Sequence, residues 1–230
     1  MFRLPRHIVD YGPAALLLNW EQRITPDINQ SVHAYARLLT QHPAVQECIP
    51  AYASLLVRFF PPKITAYKLK EFIFATKPKR ETVANIVHHE LPVCYHAELA
   101  PDLKDTAGLL KLTPKQLVKL HTSVDYLVYQ LGFRPGFGFM GETPGALEVP
   151  RLERPRRQVP AGAVGLAGRQ TGIYPSESPG GWRLIGRCPL PLVRSGRDFT
   201  RLRPGDTVRF VPITLPQYRK FNPDQPWPKR

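Results

Sequence analysis

The chain reads as an α+β fold in two parts, a layered helix-and-sheet domain followed by an all-β barrel. Three observations predict it. The first 93 residues alternate strand and helix periodicities in the order β-α-β-β-α-β, that of a ferredoxin-like α/β sandwich. Beyond Tyr126, short apolar runs are separated by Gly/Pro turns, the mark of a compact barrel. Finally, 12 of the 16 glycines lie between Gly132 and Gly186. Glycine at that density suits a backbone that turns tightly, takes positive φ or approaches another segment closely.

The elements follow in chain order. Ile8–Asn19 reads as a strand interrupted at Gly12-Pro13. Thr25 is a candidate helix cap with Pro26 at the first helical position, and Ile28, Val32, Tyr35, Ala36 and Leu39 recur at helical spacing. Val45–Ile49 and Leu55–Phe60 read as strands around a turn at Pro50-Ala51-Tyr52. Thr65 caps a second helix carrying Leu69, Phe72 and Ile73, and Val83–Val93 supplies a closing strand. Pro101–Leu110 and a segment opened by Thr113-Pro114 are short helices of a connector. Tyr126–Leu131, Ala163–Leu166, Trp182–Ile185 and Thr207–Pro212 are barrel strands, and Leu215–Arg230, with four prolines, reads as a loosely held tail. The expected domains are residues 1–93, a connector over 94–124, a barrel over 125–214 and a Pro-rich basic tail over 215–230.

With 230 residues, 43% of them hydrophobic, the chain can bury one sizeable core or two small ones. No apolar run approaches the roughly 20 residues that span a bilayer, and MFRLPRHIVDYG lacks a signal-peptide core, so the expected location is the cytoplasm, with no membrane partner. Cys48, Cys94 and Cys188 are odd in number and widely spaced, which predicts three buried thiols and neither a disulfide framework nor a CxxC site. Residues 1–150 carry 16 Lys+Arg against 13 Asp+Glu, whereas residues 151–230 carry 16 against 5. The positive field therefore belongs to the C-terminal third and favours an anionic partner. Its arginines are scattered through Gly/Pro-punctuated strands without a zinc-finger, RRM or helix-turn-helix pattern, so no nucleic-acid partner is expected.

The glycine-rich segment is built for recognition by polar hydrogen bonding. It contains no histidine, since His121 is the last in the chain, so it cannot supply a Ser-His-Asp arrangement of its own. His121 is the titratable candidate for acid or base work at neutral pH. His88-His89 on one strand point to opposite faces, and no HxxxH or HExxH pattern occurs, so no metal site is expected. GFRPGFGFMG lacks the Lys-Ser/Thr of a P-loop and the βαβ setting of a dinucleotide fingerprint. Gln170 and Thr171, a polar pair flanked by Gly168 and Gly172, are candidate ligand contacts. Gly136, Gly162, Gly168, Gly180 and Gly181 shape the backbone, and Phe137 and Trp182 are large aromatics of the barrel that serve its core or wall a groove.

The run from LHTSVDYLVYQLGF through PRRQVPAGAVGLAGRQTGIYPSESPGGWRLIGR to CPLPL resembles the signature of the allophanate hydrolase subunit 1 family, and the resemblance extends to PAYASLLVRF, PVCY and LRPGDTVRFVPI. That family includes the B subunit of ATP-dependent 5-oxoprolinase and the KipI inhibitor of a sporulation histidine kinase. The resemblance implies that the barrel is cyclophilin-like. It also implies that the protein works beside an A subunit of lactam-utilisation type and an allophanate hydrolase subunit 2-like C subunit. The implied reaction opens 5-oxo-L-proline to L-glutamate with ATP, held with or by the partners. A histidine kinase as target, or a urea carboxylase-type carboxyltransferase assembly, is the alternative. For the lactam reaction, Arg156 and Arg187 are expected to hold a carboxylate or phosphoryl group, Gln170 and Thr171 to hydrogen-bond the ligand, and Tyr174, Trp182 and Phe137 to line the groove. This chain departs from the family at His96-Ala97, where Gly-Gly is frequent, and at Val193-Arg194, where an acidic Phe-Asp is frequent.

Overall fold

A computed structural model describes residues 2–78, 86–194 and 200–222. The chain divides into two compact units, Met1–Ala84 and Asn85–Arg230. The first contains β1 (His7–Asp10), β2 (Ala15–Asn19), α1 (Pro26–Thr40), β3 (Val45–Pro50), β4 (Ser54–Phe59) and α2 (Ala66–Ala75). Its sheet has the order β1-β2-β4-β3 and is antiparallel throughout. Alternation along the strands sends Leu16, Leu18, Leu55, Val57 and Phe59 to one face. The apolar stripe of α1, Ile28, Val32, Tyr35, Ala36 and Leu39, is buried in the same core. Thr65 caps α2 by accepting from Lys68 N–H at 3.3 Å, whereas the Thr25 side chain turns to Asp27 instead of the backbone.

The predicted first strand is a hairpin, because Gly12 at φ +76° lets the chain reverse between β1 and β2. The predicted closing strand does not join this sheet. Its described part, β5 (His88–Cys94), pairs in the second unit, in parallel with β13 (Thr207–Ile213) over seven residues and antiparallel with β12 (Arg183–Arg187). The reason lies in its burial: from Leu91 to Cys94 every residue is buried, as suits a strand covered on both faces. Residues 83–85 lie outside the described residues.

The second unit continues with α3 (Leu103–Leu109), α4 (Pro114–His121), β6 (Tyr126–Leu131), β7 (Gly138–Gly141), β8 (Arg156–Val159), β9 (Ala163–Ala167), β10 (Gln170–Ile173) and β11 (Ser178–Gly180), then β12, β13 and α5 (Leu215–Arg219). Seven strands close into a barrel in the order β10-β7-β6-β13-β5-β12-β9, and β8 pairs with β11 in a separate two-stranded ribbon. The α+β layer followed by a barrel is thus the observed architecture. A capping box at Thr113 and Gln116 starts α4, and Leu117 and His121 are its buried residues. The tail begins in order, contrary to expectation: Thr214 and Gln217 form a second capping box that starts α5, while residues 223–230 lie outside the described residues. Cys94 and Cys188 are buried as predicted, but Cys48 is only half-buried, on a sheet-edge strand.

Candidate functional site

His121 lies at the end of α4 with no exposed surface. Its Nδ1 is 2.8 Å from the Tyr95 hydroxyl, and its Nε2 is 2.9 Å from Thr171 Oγ1, which in turn donates to the Gly165 carbonyl at 3.1 Å. The ring stacks on Phe210, with centroids 4.5 Å apart at 17°, and its own carbonyl accepts from the Tyr126 hydroxyl. Burial pushes the imidazole down to about 3, so at neutral pH it is uncharged. The expected acid or base is therefore enclosed, neutral and already bonded at both nitrogens. Thr171 is likewise fully buried, its hydroxyl committed within the protein.

Phe137, Tyr174 and Trp182 do come together, as one cluster with Val159, Ala163, Ala167 and Leu184. Phe137 is the hub, edge-on to Tyr174 at 5.2 Å and to Trp182 at 5.4 Å. All three are nearly fully buried, in a cluster separate from the barrel core of Val164, Leu166, Ile173 and Ile185; the ring beside them that reaches solvent is Phe133, 59% exposed, edge-on to Tyr174 at 6.3 Å. Gly180 is required here, since a Cβ would sit 2.4 Å from the Tyr174 hydroxyl oxygen. Gly162, at φ +80°, turns under the Cys188 carbonyl, 2.3 Å from where its Cβ would be. Protein atoms therefore occupy the space beside these two glycines. At Gly136 the Val193 side chain fills that space, and Gly181 makes only ordinary contacts, whereas Gly168 at φ +56° meets no described atom within 4 Å.

The structure does not bring the two predicted arginines to a common contact. Arg156 Nη2 pairs with Asp102 Oδ1 at 2.5 Å, and the other Asp102 oxygen accepts the Leu184 N–H at 2.6 Å. Arg156 Nη1 is enclosed with no hydrogen-bond partner among the described residues. Arg187 instead donates from Nε to the Ala161 carbonyl at 3.0 Å, beside the Gly162 turn. Gln170 keeps an enclosed Nε2 that likewise has no hydrogen-bond partner among the described residues. Asp102 and Tyr95 are the contacts that sequence reasoning missed. Tyr95 stood inside the PVCY motif, whereas Asp102 carried no local signal, because its partners are 54 and 82 residues away.

Two grooves flank α4. One, of about 530 Å³, is lined by Cys94, Tyr95, His96, Val118, Pro212 and the following loop into α5. The other, of about 360 Å³, shares Tyr95, Val118 and Pro212 and adds Lys115 and Lys119. No group of three or more His, Cys, Asp or Glu side chains able to hold a metal ion occurs among the described residues, and none of their helices is long and apolar enough to cross a membrane.

Residues 6–202 match the carboxyltransferase domain, subdomain C and D, family. The B subunit of 5-oxoprolinase from Bacillus subtilis is 38% identical over 93% of this chain and 95% of its own length. The Escherichia coli protein of the same name is 40% identical over 87% and 93%. Among solved structures, that of TTHA0988 superposes with a TM-score of 0.77 at 34% identity, covering 93% of this chain, which spans 41% of the longer one. The chain therefore belongs to the carboxyltransferase C and D subdomain family, in the branch of the 5-oxoprolinase B subunits.

Proposed function

We propose that this chain serves as the B subunit of an ATP-dependent 5-oxoprolinase, a cytoplasmic assembly that opens 5-oxo-L-proline to L-glutamate, and that it is inert without its partners. The observation that carries this reading is the near-full-length identity with the B subunits of Bacillus subtilis and Escherichia coli. The partners are an A subunit of lactam-utilisation type and an allophanate hydrolase subunit 2-like C subunit, with ATP bound on or between them. ATP supplies the activation that an unreactive lactam carbonyl needs.

What this chain contributes is recognition. Gln170, whose carboxamide nitrogen has no partner among the described residues, donates to an oxygen of the lactam acid, and Arg156 and Arg187 offset negative charge at the barrel surface. Thr171 and His121 support Gln170 from inside, and Phe137, Tyr174 and Trp182 hold the barrel wall rigid. The chemistry of the described residues fits a dependent subunit: the His121 imidazole is held neutral, and burial pushes the Cys188 thiol up to about 12, out of reach as a nucleophile. The test is 5-oxoproline-dependent ATP hydrolysis by the chain alone and by the reconstituted three-subunit mixture. Turnover in the mixture only is expected. Turnover by the isolated chain, or silence from a well-formed complex, would sink the proposal.

A further inference from the structure

We infer that Tyr95, His121 and Thr171 form a hydrogen-bond relay of fixed polarity that positions strand β10, and with it Gln170, so that His121 is a positioning residue and not an acid or base. The inference rests on the reading of Gln170 as a ligand contact.

Donor counting fixes the polarity. Thr171 has one hydroxyl proton, and only with that proton on the Gly165 carbonyl at 3.1 Å are all three contacts hydrogen bonds. Thr171 Oγ1 must then accept from His121, which puts the imidazole proton on Nε2. A neutral ring protonated there leaves Nδ1 as an acceptor, and the Tyr95 hydroxyl donates to it at 2.8 Å. Burial keeps the Tyr95 phenol far above its ordinary range, so it remains a donor across the working pH range. Around the ring stand Phe210, Tyr126 and Tyr95; the Cys188 thiol acts on Tyr95, and Arg209 is bonded to Asp125 and to the Thr122 carbonyl. No carboxylate contacts the imidazole among the described residues, so nothing there offsets the cost of charging it.

The relay also joins elements that the sheet does not. β10 is bonded to β7 and β9, while β5, which Tyr95 directly follows, is bonded to β13 and β12. His121, arriving on α4, bridges the two. Thr171 and Gln170 are successive residues of one strand, so anchoring the first on the inner face sets where the second projects on the other face. Gln170 has no partner for Nε2 among the described residues to hold it otherwise. Tyr95 lines both grooves beside α4, so the relay runs from a groove wall to the strand that carries Gln170.

The test combines ring-nitrogen NMR of the ¹⁵N-histidine-labelled chain with kinetics of the reconstituted complex. The His121 signals, assigned by their loss in His121→Asn, should be those of a neutral imidazole protonated at Nε2, with no titration between about pH 5 and 9. Thr171→Val, which removes the hydroxyl, should perturb that Nε2–H signal and raise KM for 5-oxoproline about tenfold with a smaller change in kcat, whereas Thr171→Ser should restore both. A His121 imidazole protonated at Nδ1, or titrating near its ordinary value, overturns the relay. So does an unchanged KM in Thr171→Val when Gln170→Leu raises it. If Gln170→Leu itself leaves KM unchanged, the ligand-contact reading of Gln170 fails, and with it the positioning role, while the NMR still decides the polarity.

Discussion

The two units solve burial differently. In the first, the buried polar residues among those described are Asn29 and Ser31, and both bond to backbone: Asn29 Nδ2 to the Ala51 and Tyr52 carbonyls, Ser31 to the Asp27 carbonyl and the Arg3 amide. They serve the local turns of an otherwise apolar helix-on-sheet core. In the second, His89, Asp102, His121, Thr171 and Asp206 are buried and bonded through other side chains. Side chain-to-side chain networks in a low-dielectric interior are strong when complete and costly when broken. The barrel is therefore where this protein has accepted risk to its stability.

The severest challenge to that contrast lies at Asp206, which accepts from His89 Nε2 at 2.9 Å, Val87 N–H at 3.2 Å and Arg203 N–H at 2.9 Å while only 3% exposed. Asp206→Ala removes the acceptor shared by the buried His89 ring and two part-buried backbone N–H groups and should cost about 3–5 kcal/mol in urea unfolding. The Arg58–Glu47 pair of the first unit is about half exposed at both ends, and Glu47→Ala should cost less than about 1 kcal/mol. Equal losses at the two positions would refute the contrast.

Acid should separate the units next. The folded-state value of His121 is depressed to about 3 from 6.5, so the unfolded chain takes up a proton that the folded barrel refuses. Its contribution is complete above pH 6.5 and is lost as pH falls toward 3, about 5 kcal/mol over the whole window. Hydrogen exchange at β9 and β10 should accelerate between pH 6.5 and about 4.5 relative to β2 and β4. Parallel behaviour of both sheets would remove His121 as the cause.

The smallest effect compares two left-handed glycines. Gly162→Ala drives a Cβ to 2.3 Å from a backbone oxygen and should cost about 3 kcal/mol, while Gly12→Ala meets no described atom within 4 Å and should cost only the conformational strain, about 1 kcal/mol. Differential scanning calorimetry of the two variants measures this directly, and equal drops in Tm would show that the Cys188 carbonyl yields to the added methyl.

Much of the fold was legible because its signals are local. Thr65 and Thr113 announce helices through bonds to residues three positions on, and the stripe of α1 needs only helical spacing. The partner of β5 was not legible, because parallel pairing with β13 spans well over a hundred residues of chain and leaves no mark on either strand. Site residues divided in the same way. Gly162 and Gly180 could be read as backbone-shaping from their turns, but not that Cys188 and Tyr174 fill the space beside them. His121 could be recognised as titratable, but not as neutralised by Phe210, Tyr126 and burial.

The order of residues along the chain was enough to establish the two-part architecture, the family and the concentration of glycine and positive charge in the C-terminal half, since periodicity, motif and composition need no third dimension. Folding alone settled which strand belongs to which sheet and which polar groups are spent inside the barrel. Pairing, desolvation and donor direction depend on neighbours that meet only in the folded chain. That is why Thr171 faces inward to His121 while Gln170, one residue earlier, keeps a donor without a partner among the described residues.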